Sequence, residues 1–190
     1  MFRQHAGMWQ QLPNALSLAR ILAVLPLAWC LQQGRFLPAA ALFVAAALTD
    51  ALDGYLARRF GWQSAIGGVL DPLADKLLML ASGILLYRLE LLPGWLLLLM
   101  LGRDLVIVTG AAIYHRWFEP FRAEPSLLSK GATALQALLL LALMLQGAGY
   151  ISAHWLQPLL LLTVTALIGS GLGYVIGYTR KAIHLRRSRP

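Results

Sequence analysis

Asp50, Asp53, Asp71 and Asp75 are half of the eight acidic residues in this chain of 190, and they fall within positions 50 to 75. On helices, residues three or four apart share a face, so Asp50 pairs with Asp53 and Asp71 with Asp75. Gly54 and Ala57 continue the first register, and Gly67 stands four residues before Asp71. Four carboxylates gathered at close quarters repel one another unless cations neutralise them. Hard oxygen donors favour Mg²⁺, Mn²⁺ or Ca²⁺ over Zn²⁺, and no His or Cys lies near them in sequence. Four carboxylates can hold two such ions, the arrangement used for displacement at phosphorus. Gly54, Ala57 and Gly67 clear side-chain bulk beside the carboxylates, which lets a phosphate or a planar group approach the backbone. Close helix packing is the plainer use of the same small residues. Arg58 suits a diphosphate, which a guanidinium binds bidentately. Its plainer use is an orientation charge at the membrane surface, and Arg59 reads that way.

The elements that carry these residues are membrane helices. The chain is 59% hydrophobic and only 13% charged, with a mean hydropathy of +0.67, the profile of a polytopic membrane protein. That excludes an ordinary soluble domain. The net charge of +8 flanks apolar spans, so it points to orientation and anionic lipid, and no nucleic-acid partner is expected. Turn signals at Gln33-Gly34-Arg35, Phe60-Gly61-Trp62 and Leu92-Pro93-Gly94 help to divide the sequence. Six spans are predicted, over residues 12–32, 38–60, 65–89, 93–115, 127–147 and 156–178. The predicted fold is an all-α integral membrane protein, one bundle of six helices forming a single domain over residues 1–190. Residues 1–11 are expected to lie at the interface, and residues 179–190 to form a basic cytoplasmic tail. No signal peptide is expected, because the first span carries Arg20 and no small-residue cleavage site follows it. Cys30 has no partner for an internal disulfide and reads as a small core residue. His5, His115, His154 and His184 lie at span ends or in flanking segments and read as interfacial.

With the N-terminus inside, the cytoplasmic flanks hold Arg3, Arg58, Arg59, Arg116, Arg122, Lys130, Arg180, Lys181, Arg186, Arg187 and Arg189, against only Arg35 and Arg88 outside. The positive-inside rule then places both termini in the cytoplasm. Arg20, Lys76 and Arg103 remain within spans, where ionisable residues mark function. Asp50 lies about 18 Å from the outer end of its span at 1.5 Å per residue. Asp53, Arg58, Asp71, Asp75, Arg20 and Lys130 all fall in the cytoplasmic half, with Arg103 near mid-depth.

Asp50-x-x-Asp53-Gly54-x-x-Ala57-Arg58, eight residues, then Gly67-x-x-x-Asp71-x-x-x-Asp75 resembles the complete signature of the CDP-alcohol phosphotransferases. The six spans, and Pro13-Asn14 with Arg20 opening the first, extend the resemblance along the chain. It implies that Asp50, Asp53, Asp71 and Asp75 hold two divalent cations, Mg²⁺ or Mn²⁺. It also implies that Asp75 is the base for the acceptor hydroxyl, and that Gly54, Ala57, Arg58 and Gly67 hold the CDP group. Asn14, Arg20 and Lys76 are further candidates. The donor would be CDP-diacylglycerol, with CMP released. The expected setting is a homodimer in a bacterial inner membrane, its site open to the cytoplasm.

The acceptor is less fixed. Asp71-Pro72-Leu73-Ala74-Asp75-Lys76 resembles both phosphatidylglycerophosphate synthases and CMP-forming cardiolipin synthases. Gly102-Arg103-Asp104, Pro125 through Gln136, and Tyr178-Thr179-Arg180-Lys181 are closer to the latter. Where the former carry a second lysine after the one matched by Lys130, this chain has Ala132. A missing cation weakens the grip on dianionic glycerol 3-phosphate more than on phosphatidylglycerol. Phosphatidylglycerol is therefore the expected acceptor and glycerol 3-phosphate the alternative, with Arg103 and Lys130 as candidates for the acceptor phosphate. A plainer use exists for each: an inner-flank charge for Lys130, and a pair with Asp104 for Arg103. A proton- or ion-coupled transporter is the rival class. It predicts carboxylates spread across the membrane, whereas these occupy one half.

Overall fold

The computed structural model describes residues 12–60, 67–117 and 127–187; the side chains of residues 12–14, 51, 53–58, 60, 67–70, 111–117, 178 and 180–187 lie outside that description. Among the described residues all regular structure is helical: α1 (Leu12–Gln32), α2 (Phe36–Phe60), α3 (Gly67–Arg88), α4 (Gly94–Trp117), α5 (Leu127–Gly147) and α6 (Ala153–Arg187). Among the described residues, three stretches are long and apolar enough to cross a membrane: Ala15–Gln32, Leu127–Gly147 and Ala153–Gly177. A shorter apolar stretch, Phe36–Asp50, lies in α2. Asp71, Asp75 and Lys76 interrupt α3, and Arg103 and Asp104 interrupt α4. Leu25, Leu98, Leu161 and Leu172 stand exposed, as lipid-facing side chains do. The chain is a membrane protein.

Short capped turns end α1, α3 and α5. Beyond α1, Gly34 N–H donates to the Leu31 carbonyl (3.0 Å) and Arg35 N–H to the Cys30 carbonyl (2.8 Å). This double cap needs a left-handed residue, and Gly34 supplies it at φ 68°. Gly149, at φ 82°, does the same after α5. Glu90 takes that position after α3 at φ 61°, an uncommon conformation for a side chain with a Cβ. The helix starts are plainer. Pro38 is accommodated in the first turn of α2, where its missing N–H costs nothing. That places the start of α2 at Phe36, two residues before the predicted span.

The last helix departs furthest from expectation. It runs to Arg187, nine residues beyond the predicted end of the sixth span. Residues 179–187 contain no Gly or Pro, so nothing stops the backbone at the edge of the apolar stretch. Most of the expected basic tail is therefore helical.

The chain forms two compact units. The first comprises Met1–Leu91 with Leu140–Ile151, hence α1, α2, α3 and the end of α5. In it α1 packs most extensively against α2 and α3. The buried stripe of α1 is Ser17, Arg20, Leu27 and Leu31, polar at one end and apolar at the other. Facing stripes repeat that order: Ala39, Phe43, Ala46 and then Asp50 on α2; Asp71, Ala74, Leu78 and Leu85 on α3. In lipid, apolar burial adds little between helices, so close packing and polar pairs hold them together. One tight contact is Gly147 at the end of α5. A Cβ there would lie 2.7 Å from Phe36 Cδ1 and 2.8 Å from its Cγ. Gly147→Val is expected to destabilise the protein by about 1–3 kcal/mol through overpacking. Adding Phe36→Ala should recover part of that loss in thermal unfolding in detergent.

The second unit comprises Leu92–Leu139 with Ser152–Pro190, hence α4, the start of α5 and α6. Leu96, Met100, Leu139 and Leu167 are fully or almost fully buried in it. Thr163 bonds back to the Leu159 carbonyl at 2.7 Å and reaches the Leu135 carbonyl at 3.4 Å, tying α6 to α5.

Candidate active site

Carboxylates from α2 and α3 meet one face of α1. The Arg20 guanidinium has a side chain with 0% exposure, and its Nη1 lies 2.7 Å from Asp50 Oδ1 and 3.1 Å from Asp75 Oδ1. One nitrogen is thus shared by a carboxylate from each neighbouring helix. One turn earlier on α1, the fully buried Ser17 hydroxyl donates to Asp71 Oδ1. An arginine can be buried like this only when paired, and removing one member of such a pair costs about 3–5 kcal/mol. The carboxylates themselves are not sealed in. The side chain of Asp50 is 35% exposed and that of Asp75 46%, so they can meet a ligand from outside the unit.

The structure therefore brings together Asp50, Asp71, Asp75 and Arg20 from the predicted set. Asp53, Gly54, Ala57 and Arg58 lie in α2, and Gly67 opens α3, each in helical backbone. Their side chains are outside the described residues, as is that of Asn14. Lys76 is exposed on α3. Ser17 was not anticipated. A lone serine in an apolar run carries no chemistry of its own, and its only signal was a three-residue offset from Arg20.

A second polar cluster surrounds the buried Arg103 on α4. Nη1 donates to Asp104 Oδ1 at 2.8 Å and to Thr133 Oγ1 at 3.4 Å. Nη2 donates to the Ser129 carbonyl at 3.1 Å, to Ser129 Oγ at 2.6 Å and to Ser170 Oγ at 3.1 Å. One guanidinium thus ties α4 to α5 and α6. Its Nε is buried without a hydrogen-bond partner among the described residues. The pair with Asp104, the plainer of the two sequence-based uses of Arg103, is present. Lys130, next to Ser129, is exposed. Gly171 leaves room for the stem of Arg103, whose Cγ would be 3.9 Å from a Cβ there.

The helical frame and the aspartate register have a match among known proteins. The sequence model of the CDP-alcohol phosphatidyltransferases matches residues 10–169, most of the chain. The chain belongs to the CDP-alcohol phosphatidyltransferase family. Within that family it is 31% identical over 197 residues to the cardiolipin synthase (CMP-forming) of Rattus norvegicus, covering 94% of this chain and 64% of the relative. It is 31% identical over 187 residues to the chloroplastic CDP-diacylglycerol–glycerol-3-phosphate 3-phosphatidyltransferase 1 of Oryza sativa, covering 88% of this chain and 56% of the relative. A cardiolipin synthase (CMP-forming) / mitochondrial hydrolase fusion protein of Schizosaccharomyces pombe is 34% identical over 181 residues, covering 87% of this chain and 30% of the relative. The chain spans less than two thirds of the length of each.

CDP-alcohol phosphatidyltransferases in general depend on divalent metal. The donor chemistry here fits such an ion. Asp50, Asp71 and Asp75 offer hard oxygen atoms, and among the described residues no imidazole or thiolate accompanies them in the cluster. The place is also built to neutralise negative charge, since a buried guanidinium already rests against two of the carboxylates. Among the described residues no group of three acidic, His or Cys side chains forms a complete ligand set. Asp53, the fourth carboxylate of the register, has its side chain outside them.

Proposed function

We propose that the protein transfers the phosphatidyl group of CDP-diacylglycerol to phosphatidylglycerol, forming cardiolipin and releasing CMP. The observation that carries this reading is the convergence of Asp50 and Asp75 on one Arg20 nitrogen, with Asp71 alongside on Ser17. Arg20 and Ser17 of α1 thus hold carboxylates from α2 and α3 beside one another, which supports a shared site. In this reading Asp50, Asp53, Asp71 and Asp75 hold two divalent cations, Mg²⁺ or Mn²⁺. When bound, these ions would neutralise the diphosphate and the departing CMP. Arg58 adds a bidentate contact to the diphosphate, and Gly54, Ala57 and Gly67 give the nucleotide access to the backbone. Asp75 takes the proton of the acceptor hydroxyl, whose oxygen attacks the phosphorus that bears the lipid. The bond from that phosphorus to the CMP oxygen breaks, and CMP leaves. The half-exposure of the Asp75 carboxylate supports this role, since it leaves the group open to an incoming hydroxyl.

The acceptor phosphate falls to Lys130, exposed at the start of α5. Arg103 holds that helix start through both the carbonyl and the hydroxyl of Ser129, and so positions Lys130. The reading includes a six-span bundle with cytoplasmic termini, a homodimer, and a bacterial inner membrane with the site facing the cytoplasm. The charge asymmetry of the flanks supports this orientation.

A second acceptor, glycerol 3-phosphate, is favoured by the likeness to the Oryza sativa CDP-diacylglycerol–glycerol-3-phosphate 3-phosphatidyltransferase 1. Against it stands Ala132, a fully buried position on α5 that offers no second cation. The test is CMP release and product mass with a panel of phosphatidylglycerol, glycerol 3-phosphate, inositol phosphate and serine. Cardiolipin mass with the first acceptor alone supports the proposal. Product only with glycerol 3-phosphate selects the second acceptor.

A further inference from the structure

Arg20 has a place in the site that an ordinary ligand or helix-packing residue does not need. It is cationic, its side chain is wholly buried, and it is the hydrogen-bonding link between Asp50 of α2 and Asp75 of α3. It reaches both with the same Nη1. It approaches from α1, which lies outside the Asp50–Asp75 register altogether. A strut between helices could be a neutral donor, as Ser17 is toward Asp71. A permanent charge at this point does something more: it neutralises carboxylates whose mutual repulsion would otherwise drive α2 and α3 apart.

We infer that Arg20 is a resident counter-cation that takes the place of a divalent ion at Asp50 and Asp75 when no ion is bound, and so sets the affinity of the site for metal. This rests on the metal reading of the aspartates given above. Two charges of one sign within a few ångströms interact strongly even at an effective dielectric of about 20. An incoming dication therefore meets a site that is already partly neutralised. It must displace the guanidinium from two oxygens or bind beside it. The arrangement keeps the metal-free protein assembled and holds metal affinity below what the bare carboxylates would give. Ser17, being uncharged, orders Asp71 without that penalty.

The test is Mn²⁺ binding, followed by the loss of the free-ion EPR signal, together with thermal unfolding with and without Mn²⁺. Full-length wild type, Arg20→Gln and Arg20→Lys are compared in detergent, each purified with Mn²⁺ present and then stripped. Arg20→Gln should bind Mn²⁺ about tenfold more tightly or better. It should also melt lower than wild type when stripped and recover most of that loss when Mn²⁺ returns. Arg20→Lys, which keeps the charge, should bind Mn²⁺ like wild type. A residue that only packs the helices would lower the melting temperature equally with and without metal and leave Mn²⁺ affinity unchanged, and that result overturns the inference. Weaker binding in Arg20→Gln overturns it too. So does an Arg20→Gln protein that cannot be recovered even with Mn²⁺ throughout, because the ion should then replace the lost charge. Mn²⁺ binding by none of the three proteins would instead overturn the metal reading on which the inference rests.

Discussion

Asp75→Asn is expected to lower turnover by roughly a thousandfold, the scale of a lost general base, while CDP-diacylglycerol still binds. The substitution is nearly isosteric. Asparagine keeps a carbonyl oxygen that can accept from Arg20 Nη1, which lies 3.1 Å from Asp75 Oδ1. The helix contact therefore survives, and what disappears is the ability to take a proton, together with one of the four anionic ligands proposed for the metal ions. A residue that merely held α3 to α1 would show the reverse pattern, with turnover preserved per folded molecule and stability reduced. Single-turnover rates on protein saturated with the CDP-lipid separate the two. A rate close to wild type would remove Asp75 from the proton transfer.

The second large effect is structural. Arg103→Ala is expected to cost about 3 kcal/mol, at the lower end for breaking a buried charged cluster. The change removes a hydrogen-bond partner from Asp104, Ser129 and Ser170 at once. Single hydrogen bonds between membrane helices average only about 0.6 kcal/mol. The larger figure therefore depends on the charge and on several helices sharing one guanidinium. For a protein of this size it corresponds to a fall in Tm on the order of 10 °C. Arg103→Lys keeps the charge but lacks the planar fork, so it should recover only part of the loss. A Tm within about two degrees of wild type for the alanine variant would show that the cluster does not hold the unit together.

These two residues also show what the sequence could and could not convey. The aspartate register was legible because helical periodicity is local: three- and four-residue spacings put Asp50 with Asp53 and Asp71 with Asp75 before any tertiary contact is known. Helix positions were legible for the same reason, with errors at the ends. The apolar run that defines a membrane span says little about where the backbone stops, so α6 continues to Arg187 through residues that favour helix. The role of α1 was hidden. Arg20 stood out as a charge in an apolar span, but that it bridges two helices depends on contacts distant in sequence, at separations of 30 and 55 positions. Ser17 gave less warning still, since serine is common in membrane helices and its pairing with Asp71 is wholly tertiary. Arg103 was read first as a ligand for an acceptor phosphate. Its five hydrogen bonds to Asp104, Thr133, Ser129 and Ser170 tie three helices together, a role that depends on tertiary contacts and left no mark in the sequence beyond the neighbouring Asp104.

The central claim is that the gathered aspartates make a metal-dependent site for a CDP-linked lipid. CMP release from CDP-diacylglycerol by the purified protein, with phosphatidylglycerol as acceptor, tests it most directly. The account predicts CMP in step with cardiolipin when Mg²⁺ or Mn²⁺ is present, loss of both products in EDTA, and their return when the ion is restored. No CMP with any acceptor of the panel, or undiminished release in EDTA, would contradict it.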